Sequence, residues 1–123
     1  MNILIFGSTG SIGNYLFTKF SELNYNVIGT TSNLINTDNK LIYVNIDDNI
    51  DELLKINNLD GIVWAQGYNF NDNINTFNED EFIKIINVNV LFILKTLNFL
   101  LKHNKINQNA KKAKVVFYQK SLQ

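Results

Sequence analysis

The 123-residue chain contains no cysteine, no proline and no arginine, and its single histidine is His103. Without cysteine, a disulfide framework, a thiolate metal site and a cysteine nucleophile are excluded. One histidine cannot form a multi-histidine site, so no metal site is predicted. Without arginine, the usual bidentate clamp on a phosphate group is missing. A bound phosphate would have to be held by backbone N–H groups, hydroxyls or lysine.

Charge is sparse and balanced, with 11 lysines, 11 acidic residues and a formal net charge of zero. Proteins that bind nucleic acids usually carry a basic excess or a basic face. The short run at Lys111, Lys112 and Lys114 is interpreted as a solvated loop, so no nucleic-acid partner is predicted. No segment reaches the ~18 consecutive apolar residues of a membrane span, and the N-terminus has no basic leader pattern. We therefore expect no membrane partner and a cytoplasmic location.

Apolar residues make up 46% of the chain, which favours one globular domain over residues 1–123. Strands and helices are predicted to alternate along it. Strands are expected at 2–6, 27–30, 41–44, 61–65 and 115–118, and helices at 12–23, 50–56 and 79–104. This order is typical of an α/β fold in which helices cover both faces of a parallel sheet, giving three layers. The polar crossover at 31–40 is too short to predict a full helix.

Three glycines at a spacing of three, Gly7, Gly10 and Gly13, separate the first strand from the first helix. In this context the pattern is typical of a dinucleotide site. The first glycine allows the tight turn, the second lets the backbone approach a pyrophosphate, and the third lets the helix pack closely. The helix N-terminus then presents N–H groups to the anion. The sequence thus predicts a Rossmann-type sheet of about five strands, incomplete, with a pyrophosphate site formed by Gly7, Ser8, Thr9, Gly10, Ser11, Ile12 and Gly13.

Over essentially all 123 residues, the chain resembles the short-chain dehydrogenase/reductase family. Residues 62–67, Ile-Val-Trp-Ala-Gln-Gly, lie where the family has L-V-N-N-A-G, and Gly67 matches. Residues 45–48, Asn-Ile-Asp-Asp, lie where it often has D-V-T-D, and residues 88–90 resemble its V-N-L stretch. The resemblance implies contacts to adenine from Asn45 and Ile46, a nicotinamide ribose backed by Ala65, Gln66 and Gly67, and a catalytic-site asparagine at Asn89.

The same resemblance implies hydride transfer between a nicotinamide cofactor and a carbonyl or alcohol of a small-molecule substrate. NAD-binding proteins of this fold use a carboxylate near the end of the second strand to bind the ribose 2′-hydroxyl. Here that region contains Thr31 and Ser32 and no carboxylate, which favours NADP. The absence of arginine to hold a 2′-phosphate keeps NAD as the alternative.

The family also needs a Tyr-x-x-x-Lys pair, and the chain does not supply it where it is required. Tyr15-x-x-x-Lys19 lies in the first helix, where Tyr15 is expected to face the core and Lys19 the solvent. Tyr118 is followed four positions later by Leu122. The family's serine position falls on Lys120, with Ser121 one step beyond. We therefore interpret the chain as an N-terminal fragment of a reductase that keeps cofactor binding without catalysis.

Two alternatives remain open. The chain could be a non-catalytic NAD(P)-binding sensor or partner module. The glycine spacing is also similar to that of nucleotide-sugar epimerases and dehydratases, so it could be a fragment of one of these. In either reading, the apolar stripe of the long helix 79–104 is interpreted mainly as part of the hydrophobic core. The resemblance also implies a homo-oligomer formed through the same helix. Asn89 has a second interpretation, as a structural residue that bends this helix.

Overall fold

The computed structural model describes residues 1–32, 38–67, 75–107 and the backbone of residues 114–117. Five parallel strands form one sheet with the order β3-β2-β1-β4-β5. The α/β fold class predicted from the alternating pattern is confirmed. The strands are β1 (Asn2–Phe6), β2 (Asn26–Thr31), β3 (Leu41–Tyr43), β4 (Gly61–Trp64) and β5 (Lys114–Phe117).

The helical elements follow the sequence pattern with two local differences. Helix α1 spans Ser11–Glu22, and the segment predicted as a helix at 50–56 is a 3₁₀ helix, Ile50–Lys55. The long helix begins as α2 (Glu79–Ile86) and ends as α3 (Phe92–Lys102). Between them, residues Asn87–Leu91 form a π-helical turn, called the π-turn below.

The carboxyl ends of the strands meet at one edge of the sheet. Phe6 of β1 pairs with Thr30 of β2 on one side and with Trp64 of β4 on the other. Strands β2 and β3 lie on one side of β1 in the sheet, and the later strands β4 and β5 lie on its other side. Ligands of open α/β sheets bind at such a switch point, beyond the carboxyl ends of the strands.

Helix α1 packs on one face of the sheet through Leu16, Phe17 and Phe20, which contact the core cluster of Ile3, Ile5, Val27 and Val63. The expectation that Tyr15 faces the core is wrong, because its side chain is 60% exposed. Residues 13, 16, 17 and 20 form the contact face, which turns position 15 outward. Lys19, expected to be solvated, lies with its ammonium 5.7 Å from the centre of the Tyr15 ring and forms an exposed ion pair with Glu22.

Helix α3 packs on the opposite face around Trp64, which is fully buried. The Trp64 ring stacks on Phe6 with centroids 5.4 Å apart, and Phe92 meets Phe6 edge-on at the same distance. The indole Nε1 donates a 2.9 Å hydrogen bond to Thr96 Oγ1 inside the core. Trp64 is therefore a core residue that joins β4 to α3.

The continuous helical segment Glu79–Lys102 is long and apolar enough, by length and composition alone, to cross a membrane. This differs from the expectation that no segment approaches a membrane span. Asparagines and lysines interrupt the apolar run, but the average over the segment stays apolar. Within its most apolar 18-residue stretch 11% is buried, and Thr96 and Leu100 are the buried residues of α3.

Several sequence expectations lie outside the described residues. They concern much of the crossover after β2, most of the loop at 68–78, and the side chains of Lys111, Lys112 and Lys114. Tyr118, Lys120 and Ser121 also lie beyond the described part of the chain. The predicted fifth strand at 115–118 is present at Lys114–Phe117, one residue earlier.

Candidate functional site

Two of the three loop glycines are required by the protein itself. Gly7 adopts a φ of 76°, a left-handed conformation that disfavours side chains. A Cβ on Gly7 would lie 2.7 Å from the backbone nitrogen of Gln66 at the end of β4. A Cβ on Gly13 would lie 2.1 Å from the carbonyl oxygen of Gly7. The tight turn and the close packing of α1 therefore both depend on glycine.

Gly10 differs, because the described structure gives no reason to exclude a side chain there. Its φ of −76° is available to any residue, and the nearest atom to an added Cβ is the Gly7 carbonyl oxygen at 3.6 Å. Gly10 is the N-cap residue, so a side chain there would be attached directly at the N-terminus of α1. This is the position at which a dinucleotide site needs glycine so that the pyrophosphate can approach the backbone. The loop therefore fits the group that its sequence predicts.

The first turn of α1 is open to an anion. Gly10 is the N-cap residue and makes no side-chain cap, and the first turn contains no acidic residue. Asn14 N–H donates to the Gly10 carbonyl at 2.8 Å. The N–H groups of Ser11, Ile12 and Gly13 have no acceptor within the described residues. These donors and the positive end of the helix dipole can bind a phosphate group.

The three loop hydroxyls have different surroundings. Ser8 is 5% exposed, and both its N–H and its hydroxyl donate to the Thr30 carbonyl, at 3.0 and 3.3 Å. Its hydroxyl also fills the space that a Cβ on Gly29 would need. Ser8 therefore ties the loop to β2, and both of its donors face the Thr30 carbonyl. Thr9 and Ser11 are exposed.

The residues predicted near the adenosine half follow β2 and β3. Thr31 is buried with its hydroxyl 3.5 Å from that of Thr9, while Ser32 is exposed. Val44 N–H donates to the Thr31 carbonyl, which places Asn45 and Ile46 directly beyond the same sheet edge.

Asn45 also has a local structural role. Its side-chain oxygen accepts a 2.9 Å hydrogen bond from Asp47 N–H, and its own N–H donates to the Asn49 side chain. Asp47 and Asp48 lie in this turn, and Asn49 is the N-cap residue of the 3₁₀ helix. The Asn45 amide oxygen is thus already used to shape the turn.

The end of β4 brings three predicted residues beside the loop. Ala65 N–H donates to the Phe6 carbonyl at 2.9 Å, which continues the sheet ladder by one residue. Gln66 lies against Gly7, and its Nε2 donates to the Val88 carbonyl at 3.4 Å. A Cβ on Gly67 would lie 3.7 Å from Oδ1 of Asn89.

Asn89 therefore reaches the carboxyl end of β4 from the middle of the π-turn. In this turn Phe92 N–H donates to the Asn87 carbonyl, five residues back, instead of to that of Val88. π-Helical turns occur frequently at functional sites. Both interpretations of Asn89 agree with this position, because the helix is irregular there and the side chain lies beside the predicted nicotinamide subsite.

Two features of the site were not found from the sequence. The hydrogen bond from Gln66 to Val88 depends on the π-turn, and periodicity does not reveal such a turn. The Trp64–Thr96 hydrogen bond could have been suspected from a threonine at the centre of an apolar stripe.

His103 lies at the end of α3 with its ring 4.4 Å from that of Phe99. Within the described residues, no three histidine or acidic side chains are grouped as a metal site requires.

Solved structures share this fold at low sequence identity. A short chain dehydrogenase family protein from Francisella tularensis subsp. tularensis SCHU S4 has a TM-score of 0.75 and 19% identity, over 94% of this chain and 49% of its own. Thermoplasma acidophilum aldohexose dehydrogenase has a TM-score of 0.73 and 18% identity, over 94% and 48%. ElxO, solved with NADP bound, has a TM-score of 0.67 and 22% identity, over 83% and 49%.

The chain thus spans about half the length of these solved proteins. The comparison with curated protein sequences gives no match. The sequence model of the NAD dependent epimerase/dehydratase family matches residues 3–117, which include the glycine loop, the sheet and the π-turn. The resemblance to short-chain dehydrogenases is therefore confirmed, and the chain belongs to the NAD-dependent epimerase/dehydratase family.

Proposed function

We propose that the chain binds a nicotinamide dinucleotide across the carboxyl end of its sheet, with the pyrophosphate at the N-terminus of α1. Gly10 is the observation that carries this proposal. The fold itself tolerates a Cβ at this position, which is the N-cap of α1. The space before the helix N-terminus is faced by the N–H groups of Ser11, Ile12 and Gly13, which have no acceptor within the described residues. An anion in that space would satisfy these donors.

The remaining contacts follow the strand ends. Thr31 and Ser32 would lie near the adenosine ribose, Asn45 and Ile46 near the adenine, and residues 65–67 behind the nicotinamide ribose. When bound, the nicotinamide ring would supply a hydride donor or acceptor. The protein would orient it with the end of β4 and with Asn89, whose amide lies next to Gly67.

NADP is the proposed form of the cofactor. Strand β2 ends with Thr30 and Thr31, and Ser32 follows it, with no carboxylate to repel a 2′-phosphate. Ser32 is exposed and can donate a hydrogen bond from its hydroxyl. The NADP-bound state of ElxO, a protein of the same fold, supports the proposal. NAD remains the second candidate because the chain has no arginine for the 2′-phosphate.

The proposed activity of the longer protein is carbonyl or alcohol hydride transfer on a small-molecule substrate. General acid catalysis at the carbonyl oxygen requires a positioned proton donor. The only Tyr-x-x-x-Lys pair, Tyr15 and Lys19, lies along α1 with both side chains exposed. We therefore propose that residues 1–123 form an N-terminal portion that binds cofactor without turnover.

Two other functions remain as proposals. The family match favours a nucleotide-sugar epimerase or dehydratase as the longer protein, because that family's model covers residues 3–117. A non-catalytic sensor is the alternative if the chain acts alone. A sensor would distinguish NADPH from NADP⁺ in binding, whereas a cofactor-binding portion of an enzyme needs no such preference. The proposed location is the cytoplasm, in keeping with a fold shared with dehydrogenases.

Binding is tested by titrating the purified chain with NADPH and NADH and following nicotinamide fluorescence. Gly10→Val should weaken NADPH binding roughly tenfold or more, since each tenfold loss is about 1.4 kcal/mol of binding free energy. Thr18→Val, on the exposed side of α1, adds a similar apolar group away from the loop and should bind as the wild type does. Equal binding by Gly10→Val and the wild type would contradict the pyrophosphate position.

Turnover is tested separately, by following NADPH oxidation with a panel of aldehydes, ketones and nucleotide sugars. We expect none above the rate without protein. Measurable reduction by residues 1–123 would show that the chain supplies its own proton donor. It would then reject the proposal that this portion lacks catalysis.

A further inference from the structure

Gln66 has a buried polar atom that no described residue satisfies. The side-chain oxygen Oε1 is buried and has no hydrogen-bond partner among the described residues. Most buried polar atoms in folded proteins are hydrogen-bonded, and an exception needs an explanation. Exchanging the amide oxygen and nitrogen does not remove the problem, because it would turn the oxygen towards the Val88 carbonyl.

The other end of the same amide holds the π-turn. In a regular α-helix the Val88 carbonyl would accept from Phe92 N–H, which here donates to Asn87. Gln66 Nε2 donates to the Val88 carbonyl instead, at 3.4 Å. The residue that follows Val88 is Asn89, whose side-chain oxygen lies over Gly67. Gln66 thus contacts the part of the helix that presents Asn89.

Gln66 also touches the glycine loop. Its backbone nitrogen and Cα lie 2.7 and 2.9 Å from the position of a Cβ on Gly7, and its own Cβ lies 3.0 Å from it. One residue therefore contacts both the turn proposed to bind pyrophosphate and the π-turn. Where the family has alanine, this chain has a side chain long enough to span the two.

We infer that Gln66 is a positioning residue that fixes the π-turn so that Asn89 faces the nicotinamide end of a bound dinucleotide. The inference rests on the dinucleotide-binding function proposed above. It accounts for the buried Oε1 atom, because the orientation of the Gln66 amide that lets Nε2 donate to the Val88 carbonyl leaves Oε1 without a described donor. On this inference the Gln66 side chain affects binding of the nicotinamide half of the ligand only, while α1 binds the pyrophosphate.

Gln66→Met tests this, because methionine has a similar length and neither donor nor acceptor of comparable strength. The ligands are NADP⁺ and 2′-phospho-ADP-ribose, which lacks the nicotinamide. We expect the affinity ratio of the two to fall about threefold to tenfold in the variant, a coupling of the usual size, with 2′-phospho-ADP-ribose binding unchanged. The melting temperature should change little, because the lost hydrogen bond to the Val88 carbonyl is offset by the removal of an unsatisfied buried acceptor.

Thr96→Val is the matched control, since it breaks the other polar contact between β4 and the long helix. It should lower stability and leave the affinity ratio unchanged. A purely structural role for Gln66 would give the same result as Thr96→Val, and it would overturn the inference. If Gln66→Met does not fold, Gln66→Glu keeps the shape, removes the donor and should lower the ratio equally.

Nuclear magnetic resonance provides a readout that needs no ligand. Gln66→Met should shift the side-chain amide signals of Asn89 and accelerate hydrogen exchange at Phe92 N–H. If the wild type binds neither nucleotide, the proposed function fails, but this measurement still decides the positioning role. Unchanged Asn89 signals and unchanged Phe92 exchange would overturn the inference whether or not nucleotides bind.

Discussion

At the scale of the residue, the three loop glycines are needed for different reasons: the fold requires Gly7 and Gly13, and the proposed ligand requires Gly10. A methyl group at position 13 would overlap the Gly7 carbonyl oxygen, whereas one at position 10 meets only ordinary contact. We expect Gly13→Ala to lower the free energy of unfolding by about 1–3 kcal/mol, the usual cost of overpacking. Gly10→Ala should cost less than about 1 kcal/mol, because glycine is a somewhat better N-cap residue than alanine.

Urea unfolding of both variants measures this difference. Equal destabilisation would mean that the loop cannot accept any Cβ. The role assigned to Gly10 in ligand approach would then lose its support, since the fold alone would explain the glycine.

Asp60 provides a pH-dependent contribution to stability. Its pKa lies below the ordinary value of 3.8, mainly because Asn2 N–H donates to it and also because the Asn107 side chain does. The ionised carboxylate is therefore favoured in the folded state. Its contribution is fully present above about pH 3.8 and is lost as the pH falls through the lower folded-state pKa.

We expect Asp60→Asn to melt below the wild type at neutral pH, since the substitution removes this charge. The difference should shrink as the pH drops from about 4 towards 2. Thermal melts at several pH values measure it. A difference in melting temperature that stays constant down to pH ~2 would show that the charge of Asp60 is not involved.

Single residues were predictable where chemistry follows from type and spacing. The glycine spacing predicted the tight loop between β1 and α1, which the structure shows, whereas the preference for NADP stays a prediction. The buried position of Ser8 was not predictable, because its hydroxyl bonds to a carbonyl on the neighbouring strand. Tyr15 was placed on the wrong face because helical spacing alone allowed two overlapping apolar stripes, and packing on the sheet selected the other one.

At the scale of the element, the contact between β4 and α3 includes one buried polar pair. Trp64 Nε1 donates to Thr96 Oγ1, and that hydroxyl donates in turn to the Phe92 carbonyl at 2.8 Å. Thr96→Val leaves the buried indole N–H without an acceptor and should cost about 1–3 kcal/mol of unfolding free energy. Thr96→Ser keeps the hydroxyl and should cost clearly less. Comparable losses in the two variants, measured by urea unfolding, would contradict the hydrogen-bond explanation.

Element boundaries were largely predictable because strand runs and helical stripes alternate clearly. Two local shapes were not. The segment 50–55 adopts a 3₁₀ helix after a turn in which the Asn45 side chain accepts a hydrogen bond from Asp47 N–H. Its apolar spacing fits an α-helix equally well, so the sequence did not predict the 3₁₀ form. The π-turn inserts one residue into an otherwise regular helix, which leaves the apolar pattern on both sides intact.

At the scale of the whole molecule, the alternation of strands and helices predicted a parallel sheet covered on both faces, and the glycine loop predicted a site at the sheet edge. The order of the strands in the sheet comes from the structure. The chemistry at that edge is less predictable from the sequence. It depends on side chains brought together from distant elements, such as Gln66 after β4 and Asn89 in the π-turn. Sequence reasoning placed both near the nicotinamide, and the structure adds that they meet through the Val88 carbonyl.

The long helix leaves an apolar face uncovered, which consists of Phe82, Ile83, Val90, Leu91, Leu94 and Leu101, each at least 38% exposed. Contiguous apolar patches of this kind mark association surfaces. We propose that a second copy of the chain covers this face, in keeping with the homo-oligomer implied by the family resemblance. Burial of the face between two copies would then provide the main favourable contribution to association.

Leu94→Lys tests this, because Leu94 is 57% exposed and its replacement should change monomer stability by less than about 0.5 kcal/mol. The wild type should show concentration-dependent sedimentation, and Leu94→Lys should weaken self-association roughly tenfold, because a charge replaces apolar contact. Thr18→Lys places the same charge on an exposed polar position of α1, on the other side of the sheet, and should associate as the wild type does. A wild type that sediments as a monomer at every concentration would reject the dimer. Equal effects of the two lysine variants would place the contact elsewhere, since only one of them alters the apolar face.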